Sequence, residues 1–382
     1  MNRRHCLKLA LALATSGCAG PRVRADAGPE RGQVLAAIAR ANDYWQGHHA
    51  PQQRAFWDEA AYHTGNMAAY ALTGKQAWLA YSTAWAEHND WRGAGSIDKS
   101  TWKYTYGETP DHVLFGDWQC CFQTYVDLYE IDGRRHPQRI ARAREVMEYE
   151  MSTRNSDYWW WADGLYMGMP VMSRLYKVTG ERRYLDKLQE YFSWADRLMY
   201  DREAGLYYRD AKYVYPAHKS ASGGKDFWAR GDGWVFAAFA RVLADLPQDH
   251  PLHPLLAERY RRMAASLAPA QQPEGYWTRS LLDPGQAPGP ESSGTAFFTF
   301  GYLWGMNHGY LDRSKYEAVA LRGWRFLSDT ALQADGQVGY VQPIGERAIS
   351  GQVVDKASTA PFGVGAFLLA GCEMARFLDN PT

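Results

Sequence analysis

The chain has 382 residues, enough for a sizeable core and, by length alone, for two domains or one large barrel. Aromatic residues are in excess, with 16 Trp and 25 Tyr, and the formal charge is zero. Five Lys and Arg and no acid lie in the first 25 residues, so the remainder carries 37 basic against 42 acidic residues, a net of about −5 that argues against a nucleic-acid ligand or binding to an anionic membrane.

Residues 1–25 read as an export signal. Arg3-Arg4-His5-Cys6-Leu7-Lys8 has a twin-arginine look, and the apolar run Leu9–Ala14 is too short to span a membrane. Two cleavage readings stand side by side: a lipoprotein site at Ser16-Gly17-Cys18, or ordinary cleavage after Val23-Arg24-Ala25. Either places the mature chain in the periplasm or anchored at the outer membrane, with a lipid as its sole membrane contact. Residues 26–34 read as a linker and 35–382 as a single domain. Cys120, Cys121 and Cys372 have no zinc-ligand spacing and read as buried apolar residues. There is no C-x-x-C, no phosphate-cradling G-x-x-x-x-G-K-[ST] and no G-x-S-x-G elbow.

A weak repeat follows. Tyr70–Gly74 precedes a helical pattern at Trp78-Leu79, Tyr129–Gly133 precedes Arg139–Tyr149, and Tyr176–Gly180 precedes Tyr184–Trp194. Leu243–Pro247 then precedes Leu255–Leu267, and Gly309–Asp312 precedes Tyr316–Leu327. Each unit is an apolar helix, a short Gly, Asp or Pro turn, and an amphipathic helix, with turns 47 to 67 residues apart. The pattern predicts an all-α fold of about six helical hairpins, closed as an α/α toroid or open as a solenoid. A short strand pair is expected around Leu206–Val214 and Gly339–Gln342.

Four segments carry candidate chemistry. Asp117, in His112–Tyr129, is either a carboxylate at a rim or the cap of an apolar helix. Asp163 follows Trp159-Trp160-Trp161. An aromatic wall disfavours its charged form, so it is a candidate proton donor in a sugar-binding cleft; the alternative is a cap for a helix beginning at Gly164. In Phe227-Trp228-Ala229-Arg230-Gly231-Asp232-Gly233-Trp234, Arg230 is a planar fork suited to a substrate carboxylate, or else half of a turn-stabilising pair with Asp232. Glu291-Ser292-Ser293-Gly294-Thr295 reads, on its own, as helix capping. Two acids with an anion-binding Arg point to a glycosidase whose sugar carries a carboxylate.

Together, Gly116-Asp117-Trp118-Gln119-Cys120 with Gln123, Ala162-Asp163-Gly164-Leu165-Tyr166-Met167, Phe227–Trp234 and Glu291–Phe298 resemble the unsaturated glycuronyl hydrolases of glycoside hydrolase families 88 and 105, and the rhamnogalacturonyl-hydrolase-like branch of family 105 in particular. Gly339–Gly345 and Phe362–Gly371 extend the resemblance, which runs over residues 35–378. It implies an (α/α)6 barrel. It also implies release of a terminal Δ4,5-unsaturated uronic acid from lyase-generated oligosaccharides of pectin rhamnogalacturonan or ulvan type. In that reaction an Asp protonates C4 of the C4=C5 bond while water adds at C5, with no metal or other cofactor required. Asp163 matches the acid/base position and Asp117 the second carboxylate. Trp160, Trp161, Gln123, Trp228, Arg230, Trp234 and Ser293 are the implied substrate contacts. Where many members carry Tyr-His-x-x-Asp, this chain has Leu206-Tyr207-Tyr208-Arg209-Asp210, so Arg209 and Asp210 are taken as contacts, with His218 displaced nearby. Asp232 replaces a frequent Asn and adds a third acid near the site, expected to pair with an Arg or to alter subsite preference. The competing readings are a glycosidase or epimerase for saturated sugars on the same fold, and a non-catalytic lipoprotein that captures oligosaccharides.

Overall fold

The computed structural model describes residues 28–380; the expected export signal and Cys18 lie outside them. The expected linker ends early, because α1 (Arg31–His48) already begins inside it. Eleven further helices follow: α2 (Trp57–Thr73), α3 (Gln76–His88), α4 (Cys121–Ile131), α5 (Gln138–Ser152), α6 (Ala162–Thr179), α7 (Arg183–Met199), α8 (Ala229–Asp245), α9 (Leu252–Leu267), α10 (Ser292–Asn307), α11 (Arg313–Phe326) and α12 (Pro361–Asp379).

Two kinds of helix alternate, and sequence decides which is which. In α8 every residue from Ala229 to Leu243 is buried, and α10 is buried from Ser292 to Gly305. Helices without a polar face have to lie inside. In α7 the buried positions are Tyr184, Leu185, Leu188, Tyr191, Phe192, Ala195 and Met199, a single stripe, so it covers the outside of α6. Although α12 is long and apolar enough to cross a membrane, 83% of that stretch is buried inside the molecule, so it is a core helix here.

The inner helices α2, α4, α6, α8, α10 and α12 each pack on the next, and α12 returns to α2. This closes the ring and removes the open solenoid: the architecture is the all-α (α/α)6 toroid. Closure depends on two glycines, since a Cβ on Gly65 of α2 would lie 2.7 Å from the Cα of Gly365 of α12.

Tight turns join inner to outer helices. Gly74, Gly133, Gly180 and Gly309 sit at φ +70°, +72°, +74° and +74°, in the left-handed region that lets a helix stop without side-chain strain. The return connections are long: 89–120, 153–161, 200–228, 268–291 and 327–360. All of them lead to the N-terminal ends of inner helices, so these loops gather at one rim and build a bowl. The predicted strand pair is met only in part. Leu206–Tyr207 forms β2, but its partner is β1 (Tyr200–Asp201), reached by a tight reversal, whereas Gly339–Gln342 is an irregular loop in which Tyr340 sits at φ +58° and its amide donates to Asp355 O. Short-range closure costs less chain entropy than the long-range pairing expected. Cys120, Cys121 and Cys372 are buried and unpaired.

Candidate active site

A cleft of about 240 Å³ opens at the rim where inner helices α2, α6 and α8 begin. Its walls include Asp117, Trp161, Asp163, Arg209, Trp228, Arg230 and Trp234. Local backbone pairing brings these together. Trp161, in extended conformation just before α6, bridges Asp210, and the Ala162 amide donates to Arg209 O at 2.7 Å. That pairing lays the loop after β2 along the start of α6 and sets Arg209 Nε 3.4 Å from Asp163 Oδ2.

Asp163 is not a helix cap. It lies in the first turn of α6, and its Oδ1 is buried without a hydrogen-bond partner. Burial raises its pKa, opposed by the positive charges of Arg209 and Arg230. Asp117 does not cap α4 either: it sits in the 3-10 turn Gly116–Trp118 that precedes that helix. Its pKa is pushed well above the ordinary carboxyl value, first by burial and then by the like charge of Asp163. Both acids in this enclosed cleft are therefore shifted toward their protonated forms, and the one with a cation alongside is shifted less.

Arg230 is fully enclosed at 1% exposure, held between the rings of Trp228 and Phe362 at 4.6 and 4.8 Å. It makes no pair with Asp232. Its terminal nitrogens donate to Gln342 O at 2.6 Å and Pro343 O at 2.9 Å, tying down the loop that carries Ile344, Gly345 and Glu346 into the cleft. Trp228 Nε1 donates to Gln342 Oε1 of the same loop, while Trp234 packs on Tyr166 and Phe297.

Several expected contacts lie elsewhere. Gln123 is buried against the barrel, donating to Tyr166 O and accepting from Arg241, so it locks helices and does not reach the cleft. Asp210 lies behind Arg209, pairing with it at 2.6 Å and capping Lys212 N. His218 is turned to Asp226 at 2.8 Å. Ser293 donates to Glu291, whose carboxylate caps α10 and also accepts from Gln342 N; the capping reading of this segment holds. Asp232 accepts from Tyr207 N at 2.8 Å and anchors β2 to α8; it pairs with no Arg and lies outside the cleft. Of the three consecutive tryptophans only Trp161 lines the cleft. Trp160 is half-buried behind it, tilted against Trp161 at 4.6 Å, and the turn at Tyr158–Trp159 swings Trp159 onto Tyr191.

The sequence reading missed Arg54, Phe56, Trp57, Tyr106, Glu108 and Glu346 on the walls. Phe56, the residue before α2, repeats the aromatic-before-inner-helix pattern of Trp161 and Trp228, a signal that was available. Among the described residues no group of three His, Cys, Asp or Glu is placed to hold a metal.

A closed six-hairpin ring with two buried carboxyls, arginines and tryptophans in one rim cleft defines a glycoside hydrolase of the toroid class. The chain belongs to Glycosyl Hydrolase Family 88, whose sequence profile matches residues 33–378. It is 29% identical over 367 residues, 93% of this chain and 94% of the relative, to an unsaturated 3S-rhamnoglycuronyl hydrolase of Formosa agariphila. The structure of a family 88 glycosyl hydrolase from Bacteroides vulgatus superposes with TM-score 0.89 at 57% identity, covering 91% of this chain and 100% of that one. Another solved structure, described as a polysaccharide lyase, superposes with TM-score 0.89 at 60% identity, covering 92% and 99%.

Proposed function

We propose that this hydrolase releases the terminal Δ4,5-unsaturated uronic acid from oligosaccharides left by polysaccharide lyases. The observation that carries this reading is the pair of buried carboxyls in one cleft, of which Asp163 and not Asp117 is ion-paired to Arg209. Protonating a vinyl-ether carbon needs an acid that is still protonated at working pH yet able to leave as an anion. Asp163 answers both demands in direction, since burial favours its protonated form and Arg209 stabilises the charge left behind. Its proton goes to C4, and a water oxygen bonds to C5. The water's surplus proton returns to Asp163. The hemiketal formed at C5 then opens and frees the neighbouring sugar. Asp117, the more strongly raised acid, remains a neutral hydrogen-bond donor in the cleft. Arg230 supplies the positive potential for the uronate carboxylate, and Trp161, Trp228 and Trp234 supply apolar faces for the ring.

The relative's name, an unsaturated 3S-rhamnoglycuronyl hydrolase, supports a rhamnose neighbour, and the motif pattern supports a place on the family 105 branch with an ulvan or pectic rhamnogalacturonan source. The twin-arginine-like start supports export to the periplasm or a lipid-anchored position. Lyase digests should lose their near-ultraviolet absorbance on addition of the enzyme. Asp163→Asn should slow this by about a thousandfold or more with an unchanged circular-dichroism spectrum; a variant that keeps its activity sinks the assignment.

One observation favours a second reading, the 60% identity to a structure described as a polysaccharide lyase. A lyase creates the double bond, so the absorbance of intact uronic-acid polysaccharide would rise instead of that of its digest falling. The sign of the change separates the two.

A further inference from the structure

Arg209 is shared between the acid it faces and two carboxylates that hold it back. Its Nη1 lies 2.6 Å from Asp210 and 3.3 Å from Glu346, while Nε turns toward Asp163 at 3.4 Å. That Nε is buried without a hydrogen-bond partner, as is Asp163 Oδ1, so the cation lends the acid its charge without a hydrogen bond. An arginine beside a carboxylate ordinarily settles into a two-pronged pair. Here it stops short of one, although both side chains are shielded, at 13% and 11% exposure. Glu346 is itself fixed in place. Its Oε1 accepts from the Tyr213 hydroxyl at 2.7 Å and its Oε2 from Lys212 Nζ at 3.1 Å. The loop behind it is closed, because Gln342 Nε2 donates to Arg347 O at 2.9 Å while Arg230 holds the Gln342 and Pro343 carbonyls. Partial burial opposes the charge on Glu346, but the Tyr213 hydroxyl, Lys212 and Arg209 outweigh it and hold the carboxyl below its ordinary range.

We infer that Glu346 is a positioning residue, holding the Arg209 guanidinium back from Asp163 so that the acid keeps a cation beside it without being locked as an anion. The inference rests on the functional reading above, in which Asp163 is the proton donor, and adds to it a residue from the loop before α12. Without the Glu346 charge, Arg209 is restrained by Asp210 alone and turns further toward Asp163. A carboxylate that accepts two N–H bonds from a guanidinium holds its proton poorly. Loss of Glu346 also removes a negative charge that opposes ionisation of Asp163, so both effects have one sign. The other charges around the pair stay as they are. Arg230 and Asp117 face Asp163, Asp58 and Glu108 act on Asp117, Asp210 faces Arg209, and Lys212, Tyr213 and Arg347 surround Glu346.

The test follows the alkaline limb of kcat/KM on an unsaturated disaccharide for the wild type, Glu346→Gln and Glu346→Asp. Glu346→Gln should move the limb to lower pH by about half a pH unit, less than the roughly 1–3 pH units of an enclosed charged neighbour because Glu346 is 44% exposed. Well above the limb this is about a threefold loss of kcat/KM, with KM changed by less than about twofold. Glu346→Asp keeps the charge and should restore most of the shift. A limb that Glu346→Gln leaves in place, even with a lower Tm, or moves upward overturns the inference. So does a change in KM alone, which would mark Glu346 as a sugar contact. The Asp163 carboxyl titration, read by carbon-13 NMR with Asp163→Asn to assign its signal, should move down in Glu346→Gln by the same amount. If no unsaturated disaccharide is consumed, the functional reading fails, and this titration then decides the inference by itself: an unmoved Asp163 signal overturns it.

Discussion

Glu150, in the last turn of α5, is buried at 0% exposure; its Oε1 accepts from Gln119 Nε2 at 2.5 Å and its Oε2 has no partner. Gln119 follows Asp117 by two residues, so this contact anchors the turn that presents the second acid. No cation compensates the carboxyl, and burial pushes its pKa from 4.5 up to about 8. The sign follows from proton linkage. Between pH 4.5 and 8 the folded protein holds a proton that the unfolded chain has released, so stability falls as pH rises, by about 1.4 kcal/mol per pH unit. Over the 3.5 units between those values the loss amounts to about 5 kcal/mol, a large share of a typical domain's stability. Glu150→Gln keeps the acceptor for Gln119 and removes the titration. Urea unfolding of both proteins from pH 5 to 9 should show the wild type falling behind the variant as pH rises, then running parallel above pH 8. Asp117, Asp163 and Asp232 give slopes of the same sign in both proteins, so the difference isolates Glu150. Curves parallel throughout would mean that Glu150 is already ionised in the fold, and the argument from burial would fail.

Arg209→Met removes the cation 3.4 Å from Asp163 and so raises the pKa of that acid further. Because the donor has to be protonated, the alkaline limb of the kcat/KM profile should move to higher pH while the maximum falls; a limb that stays or moves down refutes the assigned pairing. Gly65→Ala places a methyl against the Gly365 backbone and should cost about 1–3 kcal/mol, read as a lower Tm; an unchanged Tm refutes the close crossing that closes the ring.

The repeat of apolar helix, glycine turn and amphipathic helix was legible in sequence because each part is local. Tyr176–Gly180 marks its own helix end, and the all-round apolar run of α8 marks an inner helix without knowledge of its neighbours. Asp163 beside tryptophans was legible as an acid for the same reason. What escaped the sequence depends on partners far along the chain. Arg230 looked suited to a substrate carboxylate, with a pair to Asp232 as the alternative, yet its hydrogen bonds go to residues 112 and 113 positions away. Gln123 looked like a sugar contact and is held by Arg241, 118 residues on; Glu346 gave no signal and lies against Arg209. The sequence by itself determined which helices turn inward and which acids stand at their starts, since helical periodicity and turn chemistry are read within a few residues. Only the closed ring decided which of those side chains share the cleft and which are consumed as anchors, because that depends on the angles at which twelve helices pack and on buried polar groups finding partners across the barrel.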